Sequence, residues 1–322
     1  MNDQSPATAT QAPVASATAI LAAAQILLTS LECGQRVDST LLRAAMETAF
    51  GASDVSGAWD WKAGYEACEV ATVLFLRKYG RPLFRRSHTP EARLAALSKI
   101  AGLMPSHTRR SEESQALQQF STPTPLGLAA VTAAAMTYED MVLEPSAGTG
   151  QLAILAEISG GKLILNELAD TWADLLSSLL PALTATRFDA AQIHDHLDAA
   201  AMPSVILMNP PFSVLANVNG KVQDAAFRHI SSVLARLASG GRLVAITGAN
   251  FDPEQPAWHG TFAQLQESGR VVFTAVIDGA VYARHGTNFP TRLTVIDKLP
   301  GSFSTTGCAV GARRSGFRNR TS

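Results

Sequence analysis

A predicted buried strand, with the sequence VILM, runs directly into Asn-Pro-Pro-Phe. Two consecutive prolines fix φ twice and remove two backbone donors, so the strand must end there with carbonyl groups that lack ladder partners. Asn209 offers a side-chain carbonyl and Pro210 a backbone carbonyl, and beyond Pro211 the ring of Phe212 offers a flat face. Two hydrogen-bond acceptors beside an aromatic plate suit a planar group that carries an NH2.

The segment LEPSAGTG, residues 143–150, separates another predicted strand from a helix. Glycines here allow a turn whose backbone approaches a ligand, and the following helix presents free N–H groups. The segment lacks the Lys-Ser or Lys-Thr of a Walker loop, and unlike GxGxxG it begins with a carboxylate, Glu144. That carboxylate disfavours a pyrophosphate and suits a cationic ammonium or sulfonium centre. We predict ligand contacts from Glu144, Pro145, Ala147, Gly148 and Gly150.

Two more predicted strand ends carry polar or aromatic side chains. Glu167, in LNEL, lies about 20 residues after the glycines, where this topology places a ribose-binding acid. In RFDA, Asp189 can accept a hydrogen bond from an exocyclic amine while Phe188 packs against a purine ring. The alternatives are an ordinary surface glutamate and a helix N-cap, since Asp is common directly before a helix.

The elements that would position these residues are short β runs alternating with helical segments. The runs are MVLEPS, KLILNEL, ATRFD, SVILMN, RLVAITG, VVFTAVID and TRLTVIDK, and the helical segments are residues 151–158, 171–180, 190–199 and 222–238. Such alternation predicts an α/β fold, a Rossmann-like, seven-stranded and mostly parallel sheet that binds ligands at the carboxyl ends of its strands. The last two runs are joined by too short a loop for a crossover helix, which predicts an antiparallel edge hairpin.

Four regions follow from the change of pattern along the chain. Residues 1–15, rich in Ala, Thr, Ser, Pro and Gln, are predicted to be a disordered tail. Residues 16–108 have apolar residues at helical spacing and form a predicted helical domain, in which Gly80 and Pro82 end one helix. Residues 109–300 form the α/β domain. Residues 301–322 lose all periodicity and turn basic, as in a disordered tail or the stub of a longer polypeptide.

The composition limits the class of protein. Apolar residues make up 47% of the 322, enough for a sizeable core, and a net charge of −1 creates no global attraction to nucleic acid. Three cysteines in no CxxC pair argue against zinc ligation and disulfides and favour a reducing cytoplasm. The apolar run at residues 19–28 follows no basic residue and is too short to span a bilayer, so we expect no membrane association.

Positive charge is concentrated between residues 77 and 110, where Glu91 is the only acid. The cluster is either a solvated surface spread over several helices or a face that contacts phosphates. Its members are Arg77, Lys78, Arg81, Arg85, Arg86, Arg93, Lys99, Arg109 and Arg110.

Four motifs at successive strand ends, LEPSAGTG, NEL, RFD and NPPF, resemble class I S-adenosylmethionine-dependent methyltransferases, above all N6-adenine DNA methyltransferases. QFSTP, residues 119–123, is similar to the element that closes over the methionine part of their cofactor, and its place before the glycine loop matches the gamma-type order. GAWDWKAGYEACEVATVLFLRKYG and GGRLVAITG resemble the methyltransferase portion of bacterial strawberry-notch-type proteins, where a helicase follows. This sequence has no helicase motif.

The resemblance implies S-adenosylmethionine as the cofactor, with Phe120 and Thr122 among its contacts, and a nucleic acid, DNA, as the substrate. It implies direct methyl transfer at a catalytic site formed by Asn209, Pro210, Pro211 and Phe212, with Phe212 stacked on a flipped or unpaired base. A helicase or another partner protein is also implied. We expect no metal, and we interpret His194 and His196 as exposed helix residues.

Two alternatives remain open at this point. Methyltransferases of ribosomal RNA or of a protein glutamine amide also use Asn-Pro-Pro followed by an aromatic residue. A catalytically silent module that binds cofactor or nucleic acid for a larger assembly is the other, although every predicted site residue is intact here.

Overall fold

The structure is a computed structural model that describes residues 13–108, 121–210 and 224–300. Most of the predicted N-terminal tail lies outside these ranges, but its last three residues begin the first helix. The predicted C-terminal tail, residues 301–322, lies outside the described residues entirely.

The first part of the chain is helical, and polar side chains set where several of its helices begin. Asp38, Asp60 and Thr89 each accept hydrogen bonds from backbone N–H groups of the first turn of a helix. The first and third helices pack closely along their apolar sides. The helices are α1 (Pro13–Glu32), α2 (Ser39–Phe50), α3 (Trp61–Arg86) and α4 (Pro90–Leu103).

Helix α3 does not end at Gly80 and Pro82, as the sequence pattern predicted, but continues to Arg86. The glycine has a packing role instead. A Cβ atom added at Gly80 would lie 2.9 Å from Cδ1 of Ile158, in a helix of the α/β part. The absent side chain therefore allows α3 to approach that helix closely.

The second part of the chain is an α/β fold built on one sheet, in the order β2-β1-β3-β4-β6-β5. Strands β1, β2, β3 and β4 pair in parallel, and β6 pairs antiparallel with both β4 and β5. The strands are β1 (Met141–Glu144), β2 (Lys162–Leu165), β3 (Val205–Met208), β4 (Arg242–Gly248), β5 (Gly269–Ile277) and β6 (Thr291–Lys298). The helices around them are α5 (Thr124–Ala134), α6 (Gln151–Ile158), α7 (Asp170–Leu179), α8 (Ile193–His196), α9 (Asp224–Arg236) and α10 (His259–Gln266).

The predicted fold class is confirmed, but the described residues form six strands where seven were predicted. The missing strand is the ATRFD run, which makes only one isolated parallel bridge, between Asn166 and Thr186. The side chain of Asn166 takes over the pairing that a strand would make. Its Oδ1 accepts from the backbone N–H of Phe188 at 2.9 Å, and its Nδ2 donates to the carbonyl of Phe188 at 2.9 Å.

The antiparallel pairing predicted for the last two runs is confirmed, and β6 lies between β4 and β5. The connection between β5 and β6 contains a 3-10 helix, Gly279–His285. This helix carries the buried Tyr282 to the candidate site described below. Among the described residues, no helix combines the length and apolar character needed to cross a membrane.

Candidate active site

The carboxyl ends of β1 and β3 bring two of the predicted motifs to one edge of the sheet. The two strands are neighbours and run in parallel, with Leu143 opposite Ile206. Glu144 ends β1, and Asn209 directly follows β3. The two motifs are thus adjacent in space, at the edge of the sheet where parallel α/β folds usually bind ligands.

The glycine loop turns sharply between β1 and α6. Gly148 and Gly150 have φ angles of 52° and 86°, in the left-handed region that favours glycine. The N–H of Gly150 donates to the carbonyl of Ala147 at 2.8 Å, which closes the turn. The N-terminus of α6 therefore faces the carboxyl edge of the sheet.

Glu144 lies buried beneath this loop, with 3% of its surface exposed. Burial, and next the negative charge of Glu167, raise the pKa of this carboxyl well above its ordinary value. Its Oε2 atom is buried and has no hydrogen-bond partner among the described residues. A buried carboxyl oxygen of this kind suits a ligand that carries a positive charge or a hydrogen-bond donor. The sequence analysis predicted a cationic ligand, and that contact stays a prediction.

Glu167 holds the loop in place. Its Oε2 accepts from the N–H of Gly148 at 2.8 Å and its Oε1 from the N–H of Ala169 at 2.8 Å. Burial raises the pKa of this carboxyl, and the backbone donors at Ala169 and Gly148 oppose that rise. A ribose hydroxyl that bound Glu167, as predicted, would have to bond to a carboxylate that already accepts these two backbone N–H groups.

Asn166 is a site-organising residue that the sequence analysis missed. It is fully buried, and its Nδ2 also donates to the carbonyl of Pro145 at 2.8 Å. It therefore connects the ends of β1 and β2 to the segment around Phe188. The signal in the sequence was an asparagine at the end of a predicted strand, directly before Glu167.

Phe188 and Asp189, the predicted contacts of a purine ring and its amine, both have partners within the protein. The ring of Phe188 stacks on His196 with centroids 5.1 Å apart. Asp189 is exposed and caps the 3-10 helix Ala190–Gln192 by accepting from the N–H of Ala191, which is the alternative interpretation given above. His194 and His196 are exposed on α8, as predicted.

The amide of Asn209 is oriented by two neighbours. Its Nδ2 donates to Oγ1 of the buried Thr122 at 2.9 Å. The phenol of Tyr282 is also its neighbour: burial raises the pKa of that phenol, and the interaction with the Asn209 amide opposes the rise. The sequence analysis found Thr122 through its motif but missed Tyr282. The predicted residues Phe120, Pro211 and Phe212 lie outside the described residues.

Glu69 of α3 connects the helical part of the chain to this site. Its Oε2 accepts from Oγ of Ser121 at 2.7 Å and from Oγ1 of Thr149 at 2.8 Å. Its backbone carbonyl accepts from Nε2 of Gln151 at 2.8 Å. The helical part is therefore bonded to the glycine loop, a role the sequence analysis did not assign to it.

The buried Glu66, one turn before Glu69, should make the stability of the protein depend on pH. We expect the free energy of unfolding to fall as the pH rises from 4.5, the ordinary pKa of a glutamate, to about 7, the pKa of Glu66 in the folded chain. Burial raises its pKa to about 7; the charge of Lys62 opposes this rise and the charge of Glu69 adds to it. Between these values the unfolded chain ionises Glu66 while the folded chain keeps it protonated. The free energy of unfolding therefore falls across this window, by about 3 kcal/mol at most.

The Glu66→Gln variant is expected to lose this part of the pH dependence. Urea unfolding at about pH 4 and about pH 8, on either side of the window, measures it. The exposed Glu267 provides the control, and Glu267→Gln should keep the dependence of the wild type. An unchanged dependence in Glu66→Gln would contradict the assignment.

The part of the basic cluster that lies on α3, from Arg77 to Arg86, extends away from this edge of the sheet. Arg109 and Arg110 lie outside the described residues. Within α3, Glu69 lies at the glycine loop and Gly80 lies at the far end of α6. At 1.5 Å per residue, Arg85 lies roughly 24 Å along the helix axis from Glu69. This end of α3 is therefore remote from the glycine loop.

Neither a scan against protein-family models nor a search of curated proteins gives a match. Among solved structures, a proposed class I S-adenosylmethionine-dependent methyltransferase from Listeria monocytogenes matches at 13% identity and a TM-score of 0.50, over 91% of this chain and 90% of that one. TrmN from Thermus thermophilus matches at 18% identity and a TM-score of 0.42, over 58% of this chain and 52% of that one.

A modification subunit of a proposed type I restriction enzyme from Vibrio vulnificus matches at 16% identity and a TM-score of 0.46, over 66% of this chain and 49% of that one. The chain thus spans about half the length of TrmN and of this subunit. The architecture of this chain is that of the class I methyltransferase fold. At these identities the likeness is one of fold.

Proposed function

We propose that this protein transfers the methyl group of S-adenosylmethionine to an amino nitrogen, the N6 of adenine in DNA. The observation that carries the proposal is the placement of Asn209. Its amide stands at the end of β3, beside the glycine loop, and donates through Nδ2 to Thr122 at 2.9 Å. That bond directs Oδ1, the acceptor end, away from Thr122.

The residues at the glycine loop fit the cofactor. Glu144 carries a buried oxygen without a partner among the described residues, which suits an ammonium group or a hydroxyl donor. Gly148 and Gly150 keep the loop backbone open to a ligand, and Glu167 lies beneath it. When bound, the cofactor supplies the electrophilic methyl group on a sulfonium.

The chain's own contribution to the reaction is to orient the nucleophile. The lone pair of an exocyclic amine is delocalised into the ring, so the amine is a weak nucleophile. Acceptance of its two hydrogens by Asn209 Oδ1 and the Pro210 carbonyl favours the pyramidal form and stabilises positive charge that develops on nitrogen. Transfer would form an N–C bond as the S–C bond of the cofactor broke, with S-adenosylhomocysteine as the leaving group, and the methylated amine would then release one proton to water.

Support for adenine comes from the order of the motifs. QFSTP precedes the glycine loop, and its Thr122 contacts Asn209 directly. In this proposal Phe212 stacks on the flipped base. We therefore propose DNA as the substrate, and a helicase or another partner protein that exposes the target base.

A second candidate substrate is the amide nitrogen of a protein glutamine. The location of the basic residues favours it, because Arg81, Arg85 and Arg86 lie at the end of α3 remote from Asn209. A net charge of −1 adds no general attraction to phosphate.

The test is the transfer of labelled methyl from S-adenosylmethionine to single- and double-stranded DNA, to RNA and to protein. Label recovered as N6-methyladenine in DNA is the expected result. Label in glutamine or in RNA would replace the substrate and keep the enzyme class. Cofactor binding without transfer to any of them would contradict the proposal for the chain alone.

A further inference from the structure

Three residues from distant parts of the chain converge next to the candidate active site. They are Glu69 of α3, His107 after α4 and His285 at the end of the 3-10 helix between β5 and β6. One carboxylate oxygen and one nitrogen of each imidazole all lie within 4.8 Å of one another. This arrangement brings three metal-ligand side chains to one point.

The carboxylate of the cluster is fixed by hydrogen bonds. Glu69 is 8% exposed, and its Oε2 accepts from both Ser121 and Thr149. Hydrogen bonds of this kind to a ligating carboxylate orient it and tune its affinity for a metal. The buried glutamate is therefore held with its carboxylate next to the two imidazoles.

The two imidazoles are also positioned by their surroundings. The ring of His107 stacks on Tyr65 with centroids 4.2 Å apart and an interplanar angle of 11°. The backbone N–H of His107 donates to the carbonyl of Arg284 at 2.8 Å, which binds the two histidine segments to each other. The rings of His107 and His285 meet edge to face at 4.9 Å.

We propose that Glu69, His107 and His285 form a binding site for a divalent transition-metal ion of the zinc class. Two imidazole nitrogens with one carboxylate oxygen are a ligand set of zinc, whereas Mg²⁺ and Ca²⁺ prefer oxygen ligands. Tetrahedral ligands about 2.1 Å from zinc are roughly 3.4 Å apart, so small side-chain rotations would close the site.

An ion at this point would join three segments that build the candidate active site. Glu69 is hydrogen-bonded to the glycine loop through Thr149, and His285 ends the 3-10 helix that places Tyr282 next to Asn209. The role is independent of the methyl-transfer proposal, because it requires only that the ion hold these segments together. The cysteine-based reasoning from sequence missed this site, because its ligands share no local motif.

The test measures Zn²⁺ binding to the full-length, tag-free chain after treatment with a chelator. Equilibrium dialysis with elemental analysis should find one tightly bound Zn²⁺ per chain and no comparable binding of Mg²⁺. Removal of a residue that hydrogen-bonds to a metal ligand lowers metal affinity by roughly 10–100-fold. His285→Ala and Glu69→Gln alter a ligand itself, so their affinity for Zn²⁺ should fall by more than about 100-fold. The exposed His259 provides the control, and His259→Ala should bind as the wild type does.

Ser121→Ala keeps all three ligands and removes one hydrogen bond to Glu69, so it tests the site even where a ligand variant fails to fold. It is expected to weaken Zn²⁺ binding by roughly 10–100-fold. Zn²⁺ should also raise the melting temperature of the wild type more than that of Ser121→Ala. Wild-type protein that retains no Zn²⁺, or equal affinity in wild type and Ser121→Ala, would overturn the proposal, whatever the methyl-transfer assay shows.

Discussion

The Asn209→Ala variant should bind S-adenosylmethionine as the wild type does and transfer methyl groups far more slowly. Loss of one group that stabilises developing charge typically lowers kcat by roughly 10²–10³. Asn209 makes its described contacts with Thr122 and Tyr282, and it lies at the end of β3, so its removal leaves the glycine loop unchanged. Single-turnover transfer of labelled methyl, with calorimetric cofactor binding alongside, separates the two effects.

Asn250 offers a matched control for this experiment. It is an exposed asparagine just beyond the end of β4, and Asn250→Ala removes the same amide from the same edge of the sheet. That variant should transfer methyl at nearly the wild-type rate. If Asn209→Ala kept its kcat, or lost cofactor binding in the same proportion as activity, the acceptor role of Asn209 would be wrong.

The parts of the site that were predicted from sequence are those that local rules determine. The helix predicted at residues 151–158 is α6, because two glycines force the turn before it and apolar residues follow at helical spacing. Glu144 and Asn209 were placed at the same edge because the carboxyl ends of parallel strands must meet there.

The parts that were missed depend on contacts between distant residues. Glu69 meets Thr149, and Asn209 meets Tyr282, across long sequence separations that leave no periodic trace. The third predicted strand failed for a related reason. The propensity of ATRFD for a strand was real, but the buried side chain of Asn166 satisfied the backbone of Phe188 in place of a neighbouring strand.

The Gly279→Ala variant is expected to lose both stability and activity. An added Cβ would lie 1.8 Å from the carbonyl oxygen of Asn288 and 2.4 Å from its carbonyl carbon, and these backbone atoms cannot turn aside as a flexible side chain can. The 3-10 helix that starts at Gly279 must shift, and it carries Tyr282, which is 1% exposed and is a neighbour of Asn209. Overpacking of this kind costs about 1–3 kcal/mol.

Gly260 provides the contrast that isolates the clash from the general effect of replacing a glycine. It lies in α10 with no heavy atom within 4 Å of an added Cβ, so Gly260→Ala should leave stability unchanged or raise it by up to about 1 kcal/mol. Urea unfolding gives the stability of both variants, and single-turnover transfer gives their activity. A Gly279→Ala protein with wild-type stability and full activity would show that the segment relaxes without moving Tyr282, and the positioning role argued for this segment would then be wrong.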